Sequence, residues 1–382
     1  MNVLVHGRVQ HHRTVTFDPA RNAVLLIEQR LLPHRFQIVH TRDFRETAAA
    51  IRDMIVRGAP AIAAAAAYGL AQGARALRGR NLAALSRHTE TVYRTLKAAR
   101  PTAVDPVNAM NQVRAAMRAG QTVAERQALA LAAAEEFANE DVRHCKDIGG
   151  HGARLIRSGM KILTHCNAGW LACVDIGTAT APMYAAQAQG KNFHVFCDET
   201  RPRSQGATLT AWELAQQNIS HQIIADNAAG HLMQRAEIDL VIVGSDRILG
   251  RTGEVTNKIG TYTKAVLAKR HGIPFYVAVP LSTIDWNLKS GFDTPIEERD
   301  ESEVLGAWGA IASPKSDVRR SKSNRRAYVR VANPTSGARN PGFDVTPPEL
   351  ITGIITPAGI IKPRELWSRR FQLGWNSKSD RK

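Results

Sequence analysis

Residues 240 to 247 read LVIVGSDR: four apolar residues, then glycine, serine and two charged residues. A short run that is apolar at every position is typical of a strand buried on both faces of a parallel sheet. Similar runs occur elsewhere, at 161–166 (KILTHC), 193–197 (FHVFC), 223–225, 274–279 (PFYVAV) and, as a further candidate, 350–355. Helical patterns lie between them, at 168–189, 207–217, 227–235 and 258–271. This alternation predicts an α/β domain whose ligands bind beyond the carboxyl ends of the strands.

The chain before residue 146 has a different pattern. A strand is predicted at 22–29, and helices are predicted at 41–56, 60–77, 82–100, 106–118 and 123–144. The length of 382 residues is sufficient for two domains. We therefore expect a small, mainly helical N-terminal domain at 1–145 and a parallel-sheet domain at 146–382, with an irregular basic segment at about 313–339.

The composition excludes several classes of protein. No apolar run approaches the roughly 18–20 residues that span a bilayer, and the first ten residues lack a secretory signal pattern. The four cysteines (Cys145, Cys166, Cys173 and Cys197) have neither disulfide-framework nor zinc-finger spacing. We expect a cytoplasmic protein with no membrane partner, no metal and no cofactor.

The charge is strongly positive, at +17. A field of this sign attracts nucleic acids, anionic membranes and phosphorylated small molecules. Eight basic residues lie between Lys315 and Arg339, against one acid, Asp317. Tyr328 is the one aromatic residue in the stretch 315–339, whereas single-stranded nucleic-acid sites combine basic grooves with several aromatic residues. We therefore interpret this segment as a solvated basic loop and expect no nucleic-acid partner.

Cys166 ends the first of the apolar runs, and a helix is predicted to follow it. A thiol at a helix N-terminus is stabilised as the thiolate by unpaired N–H groups and the helix dipole. The alternative is a buried structural cysteine, which is the interpretation we favour for Cys145, Cys173 and Cys197.

Asp246 follows the run at 240–243. Partial removal from water at this position would raise the carboxyl pKa and let the group act as a general acid near neutrality. The alternatives are that Asp246 caps the next turn or pairs with Arg247.

Several segments have the composition of anion-binding sites. Arg57 and Gly58 precede the alanine-rich helix, where N–H groups and a guanidinium can bind phosphate. Asn257 and Lys258 are predicted to open another helix, combining an N-cap side chain with a cation. The segment 200–206 (TRPRSQG) and Arg100 add further polar and cationic groups. Together these segments predict a site for a phosphate and several hydroxyl groups.

Many ordered stretches resemble one enzyme family. They are RGAPAIAAAAAYG from Arg57, ARPTAV from Ala99, THCNAGWLA from Thr164, DETRPRSQGATLTAWEL from Asp198, GSDRI from Gly244, NKIGTYTKAVLAKRHGIPFYVAVP from Asn257, IEER from Ile296 and NPGFDVTPPELITGIIT from Asn340. Over nearly the whole chain the sequence resembles the 5-methylthioribose-1-phosphate isomerases.

The resemblance implies a small N-terminal domain, a Rossmann-like C-terminal domain and a homodimer. It also implies a metal-free aldose–ketose isomerisation of a small-molecule sugar phosphate in methionine salvage. The catalytic pair falls on Cys166 and Asp246. The substrate-binding positions fall on Arg57, Gly58, Ala59, Arg100, Gln205, Asn257 and Lys258.

Two other functions stay open at this point. Related isomerases act on 5-deoxyribose 1-phosphate or ribose 1,5-bisphosphate, and regulatory subunits of the translation-initiation guanine-nucleotide exchange factor share the fold without being isomerases. The sequence also departs from the family pattern at Trp170, which either reshapes the pocket or packs beside it, and at Ser245, where alanine is more usual.

Overall fold

The computed structural model describes residues 1–5, 7–100, 104–311 and 326–375. Its helices are α1 Phe44–Arg52, α2 Ala59–Ala76, α3 Leu82–Ala99, α4 Asp105–Met117, α5 Val123–Gly152, α6 Ala181–Ala188, α7 Ala211–Gln216, α8 Ala228–Gln234, α9 Thr261–Arg270 and α10 Ser302–Leu305. Its strands are β1 Asn2–Val5, β2 Arg8–His11, β3 Val15–Asp18, β4 Ala23–Ile27, β5 Ile38–Thr41, β6 Lys161–Thr164, β7 His194–Asp198, β8 His221–Ile224, β9 Leu240–Val243, β10 Arg247–Leu249, β11 Val255–Lys258, β12 Phe275–Ala278, β13 Ile284–Asp285, β14 Gly306–Ala310, β15 Arg326–Arg330, β16 Phe343–Thr346, β17 Gly353–Thr356 and β18 Gly359–Ile361.

The largest sheet has the order β8-β7-β6-β9-β12-β17-β18. Its first six strands are parallel, and β18 is antiparallel to β17. In chain order the parallel strands run 3-2-1-4-5-6, the order of a doubly wound sheet. Such a sheet binds ligands where the order reverses, here between the carboxyl ends of β6 and β9. The predicted α/β class is confirmed, and Cys166 and Asp246 lie just beyond these two strands.

Strand β9 shows why its sequence is apolar throughout. Val241 and Val243 pack in one buried cluster with side chains of α8 and α9. Leu240 and Ile242 pack in a second cluster with side chains of α5, α6 and α7. Because successive side chains point to opposite faces of a strand, both faces of this sheet are covered.

The N-terminal part is built around α2. This helix is buried from Pro60 to Ala74, and it contacts α1, α3, α4, α5 and the small sheet β3-β4-β5. The predicted mainly helical N-terminal region is thus confirmed, and it follows five short strands at the start of the chain.

Helix α5 is longer than the predicted 123–144. It runs through residue 145, the expected domain boundary, and its last turns pack against α6 and β17. Cys145 and Ile148 are fully buried there. At Gly152 a Cβ atom would lie 2.3 Å from Pro182 Cγ, so glycine permits this close approach.

The basic segment expected to be irregular at 313–339 is partly a strand. Arg326–Arg330 forms β15 and pairs with β14, and the Tyr328 and Trp308 rings lie 5.8 Å apart. The expectation is wrong here because Ala327, Tyr328 and Val329, between the arginines, supply cross-strand partners. Residues 313–325 of the segment lie outside the described residues. Among the described helices, none combines the length and hydropathy needed to cross a membrane.

Candidate active site

One cavity lies at the reversal point of the sheet, beside the start of α2. All nine positions singled out in the sequence line it: Arg57, Gly58, Ala59, Arg100, Cys166, Gln205, Asp246, Asn257 and Lys258. The tertiary structure therefore brings together residues from six chain segments.

Cys166 follows β6 with a left-handed backbone (φ 63°). Its N–H donates to Thr200 Oγ1 at 2.8 Å, and its carbonyl accepts from Thr210 Oγ1 at 2.7 Å. The thiol Sγ lies 3.6 Å from Gln205 Oε1. Burial raises the pKa of the Cys166 thiol, whereas the positive charges of Lys258 and Arg57 lower it.

The helix expected to begin after Cys166 is absent. A short 3₁₀ turn covers Trp170–Ala172, and α6 starts only at Ala181. The reason is tertiary: the Glu213 carboxylate accepts the N–H groups of Trp170 and Leu171 at 2.8 and 3.0 Å, which holds this backbone in a loop. The expected stabilisation of the thiolate by a helix dipole is therefore wrong. Lys258 and Arg57, together with a hydrogen bond from the Asn167 N–H, lower the pKa of the thiol instead.

Asp246 follows β9, with its side chain open to the cavity. Burial by the surrounding protein raises the pKa of the Asp246 carboxyl. The positive charges of Lys258, Arg57 and Arg100 lower it. The turn is capped by Ser245, whose Oγ accepts from the Arg247 N–H at 3.0 Å. The Arg247 guanidinium forms an ion pair with Asp285 at 3.1 Å. These contacts leave Asp246 facing the cavity.

Asn257 and Lys258 end strand β11 and do not open a helix, which corrects the prediction. The strand is paired on both sides, with β10 and β16, and Lys258 lies opposite Phe343. Helix α9 begins only after Gly260 (φ 100°). The sequence prediction failed because the β16 partner lies more than 80 residues further along the chain.

Lys258 is nearly buried. Its Nζ donates to the Gly342 carbonyl at 3.1 Å and lies 4.6 Å above the Phe343 ring. Burial lowers the pKa of the Lys258 ammonium, while Cys166 and Asp246 raise it. Lys258 thus interacts electrostatically with both candidate catalytic groups.

The start of α2 approaches the cavity closely. Gly58 precedes the helix with φ 90°, and a Cβ there would lie 2.5 Å from Ala172 Cα. Only glycine fits without displacing that backbone. The preceding Arg57 is buried and donates from one terminal nitrogen to Asn167 Oδ1 and from the other to the Asn167 carbonyl, the latter at 2.7 Å.

Asn167 and Glu213 hold the loop that follows Cys166 in place, and this contact was not predicted from the sequence. Asn167 Nδ2 donates to Glu213 Oε1 at 2.9 Å, and the Tyr184 hydroxyl donates to Glu213 Oε2 at 3.0 Å. Burial raises the pKa of the Glu213 carboxyl, and these hydrogen bonds lower it. The available signal was a single acidic residue in the mostly apolar stretch 209–214 (LTAWEL).

Arg100 lines the cavity beside an acidic side chain, whereas Trp170 is buried outside the cavity. Arg100, at the end of α3, lies 3.4 Å from Glu297 Oε2, while Pro101 and Thr102 of the same motif lie outside the described residues. Trp170 is buried and stacks on Trp212 at 5.9 Å, in a cluster that does not line the cavity. Of the two interpretations of Trp170, packing beside the site is confirmed.

Two groups of metal-ligand residue types occur among the described residues, Asp141–Cys145–Cys173 and His165–Asp198–Asp226, each with atoms within 4.8 Å of one another. Asp141 Oδ2 already accepts the Val174 N–H at 2.7 Å, and both ring nitrogens of His165 face protein oxygens. A metal bound through His165 would have to replace one of the two contacts of its ring.

Comparison with known proteins agrees with this geometry. Residues 55–363 match the initiation factor 2 subunit family, which spans both parts of the structure. The chain therefore belongs to this family, a class of α/β proteins with a helical N-terminal region.

Within the family, the chain is similar to proteins of a particular name. It is 46% identical over 362 residues to the methylthioribose-1-phosphate isomerase of Methylorubrum populi, covering 93% of this chain and 94% of that one. The crystal structure of 5-methylthioribose 1-phosphate isomerase from Pyrococcus horikoshii OT3 superposes with a TM-score of 0.82 at 39% identity, covering 96% of this chain and 97% of that one. A structure described as translation initiation factor eIF-2B, subunit delta, from A. fulgidus gives a TM-score of 0.78 at 38% identity, covering 96% and 100%. The resemblance noted in the sequence is confirmed.

Proposed function

We propose that this chain is an aldose–ketose isomerase that converts 5-methylthioribose 1-phosphate into 5-methylthioribulose 1-phosphate, a step of methionine salvage. The observation that carries the assignment is the shared cavity of a thiol, a carboxyl and an ammonium, Cys166, Asp246 and Lys258. Two curated relatives with this activity in their names, from Methylorubrum populi and Methylobacterium nodulans, each match over 93% of the chain.

The substrate explains why two reacting groups are needed. Phosphate on the anomeric oxygen keeps the furanose closed, so no free aldehyde is present to enolise. Asp246, as general acid, gives a proton to the ring oxygen while the C1–ring-oxygen bond breaks. The raised pKa of Asp246 favours the protonated form that this step requires.

Hydrogen must then move from C2 to C1. The Cys166 thiolate removes the C2 proton and returns it to C1, and the C2 hydroxyl proton passes back to Asp246 as the ketone forms. The atoms balance without any redox partner. In the alternative route the C2 hydrogen moves to C1 as hydride, and Asp246 still takes the hydroxyl proton. Retention of a C2 deuterium label in product formed in light water distinguishes the two routes, because a thiol exchanges its hydrogen with solvent.

The phosphate is assigned to the wall formed by the start of α2, Arg100 and Lys258. Main-chain N–H groups at a helix N-terminus and fixed cations are the usual partners of phosphate. Apolar side chains of Met54, Ile62 and Phe343 line other parts of the cavity and suit a methylthio group.

A regulatory role in translation initiation is the second candidate. The A. fulgidus structure described as an eIF-2B subunit favours it, since its identity to this chain is close to that of the P. horikoshii isomerase. The presence of Cys166 and Asp246 in one cavity favours the enzyme, because a non-catalytic subunit has no need of the pair.

Purified protein incubated with 5-methylthioribose 1-phosphate tests the assignment directly. We expect ketose formation, followed by NMR, with a higher kcat/KM than for 5-deoxyribose 1-phosphate or ribose 1,5-bisphosphate. Activity that is higher on either of the other sugars would reassign the substrate. No turnover of any of the three would contradict the enzyme assignment and favour the regulatory role.

We further propose a cytoplasmic homodimer. Four free cysteines support a reducing compartment. The exposed apolar side chains of Trp308, Val329 and Phe292 support burial against a second copy. Light scattering of the purified chain tests the dimer, and a monomer at micromolar concentration would contradict it.

A further inference from the structure

A buried charged network borders the cavity and centres on His165, the residue before Cys166. Its Nδ1 lies 2.8 Å from Asp198 Oδ2, and its Nε2 lies 2.9 Å from the Ile259 carbonyl oxygen. The exposed fraction is 1% for His165 and 0% for Asp198. One side chain thus joins the ends of β6 and β7 to the segment between β11 and α9.

The two contacts differ in what they require of the ring. Both oxygens that face His165 are acceptors, one of a carboxylate and one of a main-chain carbonyl. A neutral imidazole has a single N–H and can donate to only one of them. The contact with Ile259, which joins the two segments of the site, therefore requires a hydrogen on Nε2.

Other charged groups face this network from the surrounding elements. Lys264 Nζ on α9 lies 3.2 Å from the same Asp198 oxygen. Asp344 on β16 interacts electrostatically with His165 and Lys264. Asp226, after β8, accepts the Thr200 N–H at 2.8 Å and lies in the same group of side chains as His165.

The network determines a spacing inside the cavity. His165 directly precedes Cys166, and Ile259 directly follows Lys258, so one hydrogen bond ties the two backbones together. Gly260 packs on the ring, and a Cβ at that position would lie 3.1 Å from His165 Cε1. The imidazole therefore acts as a spacer between the segments that carry the thiol and the ammonium.

We infer that His165 is a positioning residue that holds the Lys258 ammonium beside the Cys166 thiol. The kinetic part of this inference rests on the proposed function. Lys258 is the largest charge effect that favours the Cys166 thiolate, so its distance controls how much of the thiol is ionised.

The His165→Asn variant tests the inference through the reactivity of Cys166. The rate of alkylation by iodoacetamide is measured against pH, with Cys166 followed by peptide mass spectrometry. We expect the rate near neutral pH to fall about tenfold and the midpoint to move to higher pH, since the ammonium is released from the thiol. If His165 only stabilises the fold, the variant should react faster than wild type. A loosened cavity makes the thiol more accessible and speeds alkylation without moving the pH midpoint.

Kinetics provide a second measurement. We expect kcat of His165→Asn to fall about 10- to 100-fold with KM changed by less than about threefold. The matched control is His231→Asn, an exposed position on α8 that should behave as wild type in both assays. If the wild-type chain isomerises none of the sugars, the proposed function fails, while the alkylation result still decides the inference.

A measurement on the unaltered protein covers the case in which His165→Asn does not fold. Nitrogen-15 NMR of histidine-labelled wild-type protein should show a hydrogen on Nε2 of the buried His165 ring, the nitrogen that faces the Ile259 carbonyl. A ring with no hydrogen on Nε2 would overturn the inference, because Nε2 could then not donate to the Ile259 carbonyl.

Discussion

Arg57 donates from both of its terminal nitrogens to Asn167, the residue that follows Cys166, across a sequence separation of 110. One hydrogen bond goes to the Asn167 side chain and the other to its carbonyl. Asn167 is held on its other side by Glu213. The helical N-terminal part therefore fixes the loop that carries the thiol, and the site depends on both parts of the chain.

Replacing this guanidinium should impair the site without unfolding the chain. Lysine keeps the charge of Arg57 but cannot donate to both oxygens in the same plane. We expect Arg57→Lys to lower kcat/KM by about 10- to 100-fold, the value of a lost hydrogen bond from a charged group. Steady-state kinetics measure this effect. The control is Arg52→Lys, which alters an exposed ion pair with Asp53 and should change kcat/KM by less than about twofold. Equal effects of the two variants would contradict the role of the Arg57–Asn167 contact.

The general-acid role of Asp246 makes a separate prediction. Asparagine has nearly the same shape but cannot give a proton to the ring oxygen. We expect Asp246→Asn to lower kcat by ~10²–10⁴, with substrate binding nearly unchanged. Turnover is measured by NMR and binding by calorimetry with the ketose product. Asp293→Asn, at an exposed position, is the control. Full turnover by Asp246→Asn would exclude the role.

Gly58 should tolerate no side chain, because of its contacts as well as its backbone angle. The Cβ of alanine would lie 2.5 Å from both the Cα and the carbonyl oxygen of Ala172, which are backbone atoms. Gly79 also has positive φ, at 106°, but its Cβ would meet no atom within 4 Å. We expect Gly79→Ala to cost about 1–2 kcal/mol of unfolding free energy and Gly58→Ala to cost clearly more, with loss of phosphate binding. Urea unfolding of both variants measures the difference, and equal costs would refute the close approach.

Asp141 gives a pH-dependent prediction for stability. Burial on α5 raises the pKa of the Asp141 carboxyl from 3.8 to about 7. The unfolded chain loses this proton near pH 4, whereas the folded chain keeps it until about pH 7. The full contribution of Asp141 to the free energy of unfolding is therefore present below about pH 4. It falls by up to ~4 kcal/mol as the pH rises to about 7.

The amide variant removes this ionisation while keeping an oxygen for the Val174 N–H. We expect the melting temperature of Asp141→Asn, relative to wild type, to rise as the pH is raised from about 4 to about 7. Asp147→Asn, exposed on the same helix, should stay close to wild type throughout. A constant offset between Asp141→Asn and wild type across this range would contradict the raised pKa.

The strands of the main sheet were predictable because their information is local. The run 240–243 is apolar at every position, and the structure buries its alternate side chains on opposite faces. In a doubly wound sheet the ends of such strands are where ligands bind, so position made Cys166 and Asp246 candidates, and the family resemblance selected them as the catalytic pair. The alanine-rich helix α2 was equally predictable from the sequence, since its residues combine high helix propensity with low side-chain volume.

Only the tertiary structure decided how these residues are supported. Lys258 became the end of a strand because β16 pairs with it from far along the chain, and the expected helix after Cys166 was replaced by a loop because Glu213 binds its N–H groups. The His165 contact with Ile259 spans 94 residues. Sequence periodicity reports the preference of a segment for burial and for a backbone conformation. It does not report which distant donor and acceptor meet once the segments have packed, and the electrostatics of the site depend on those pairs.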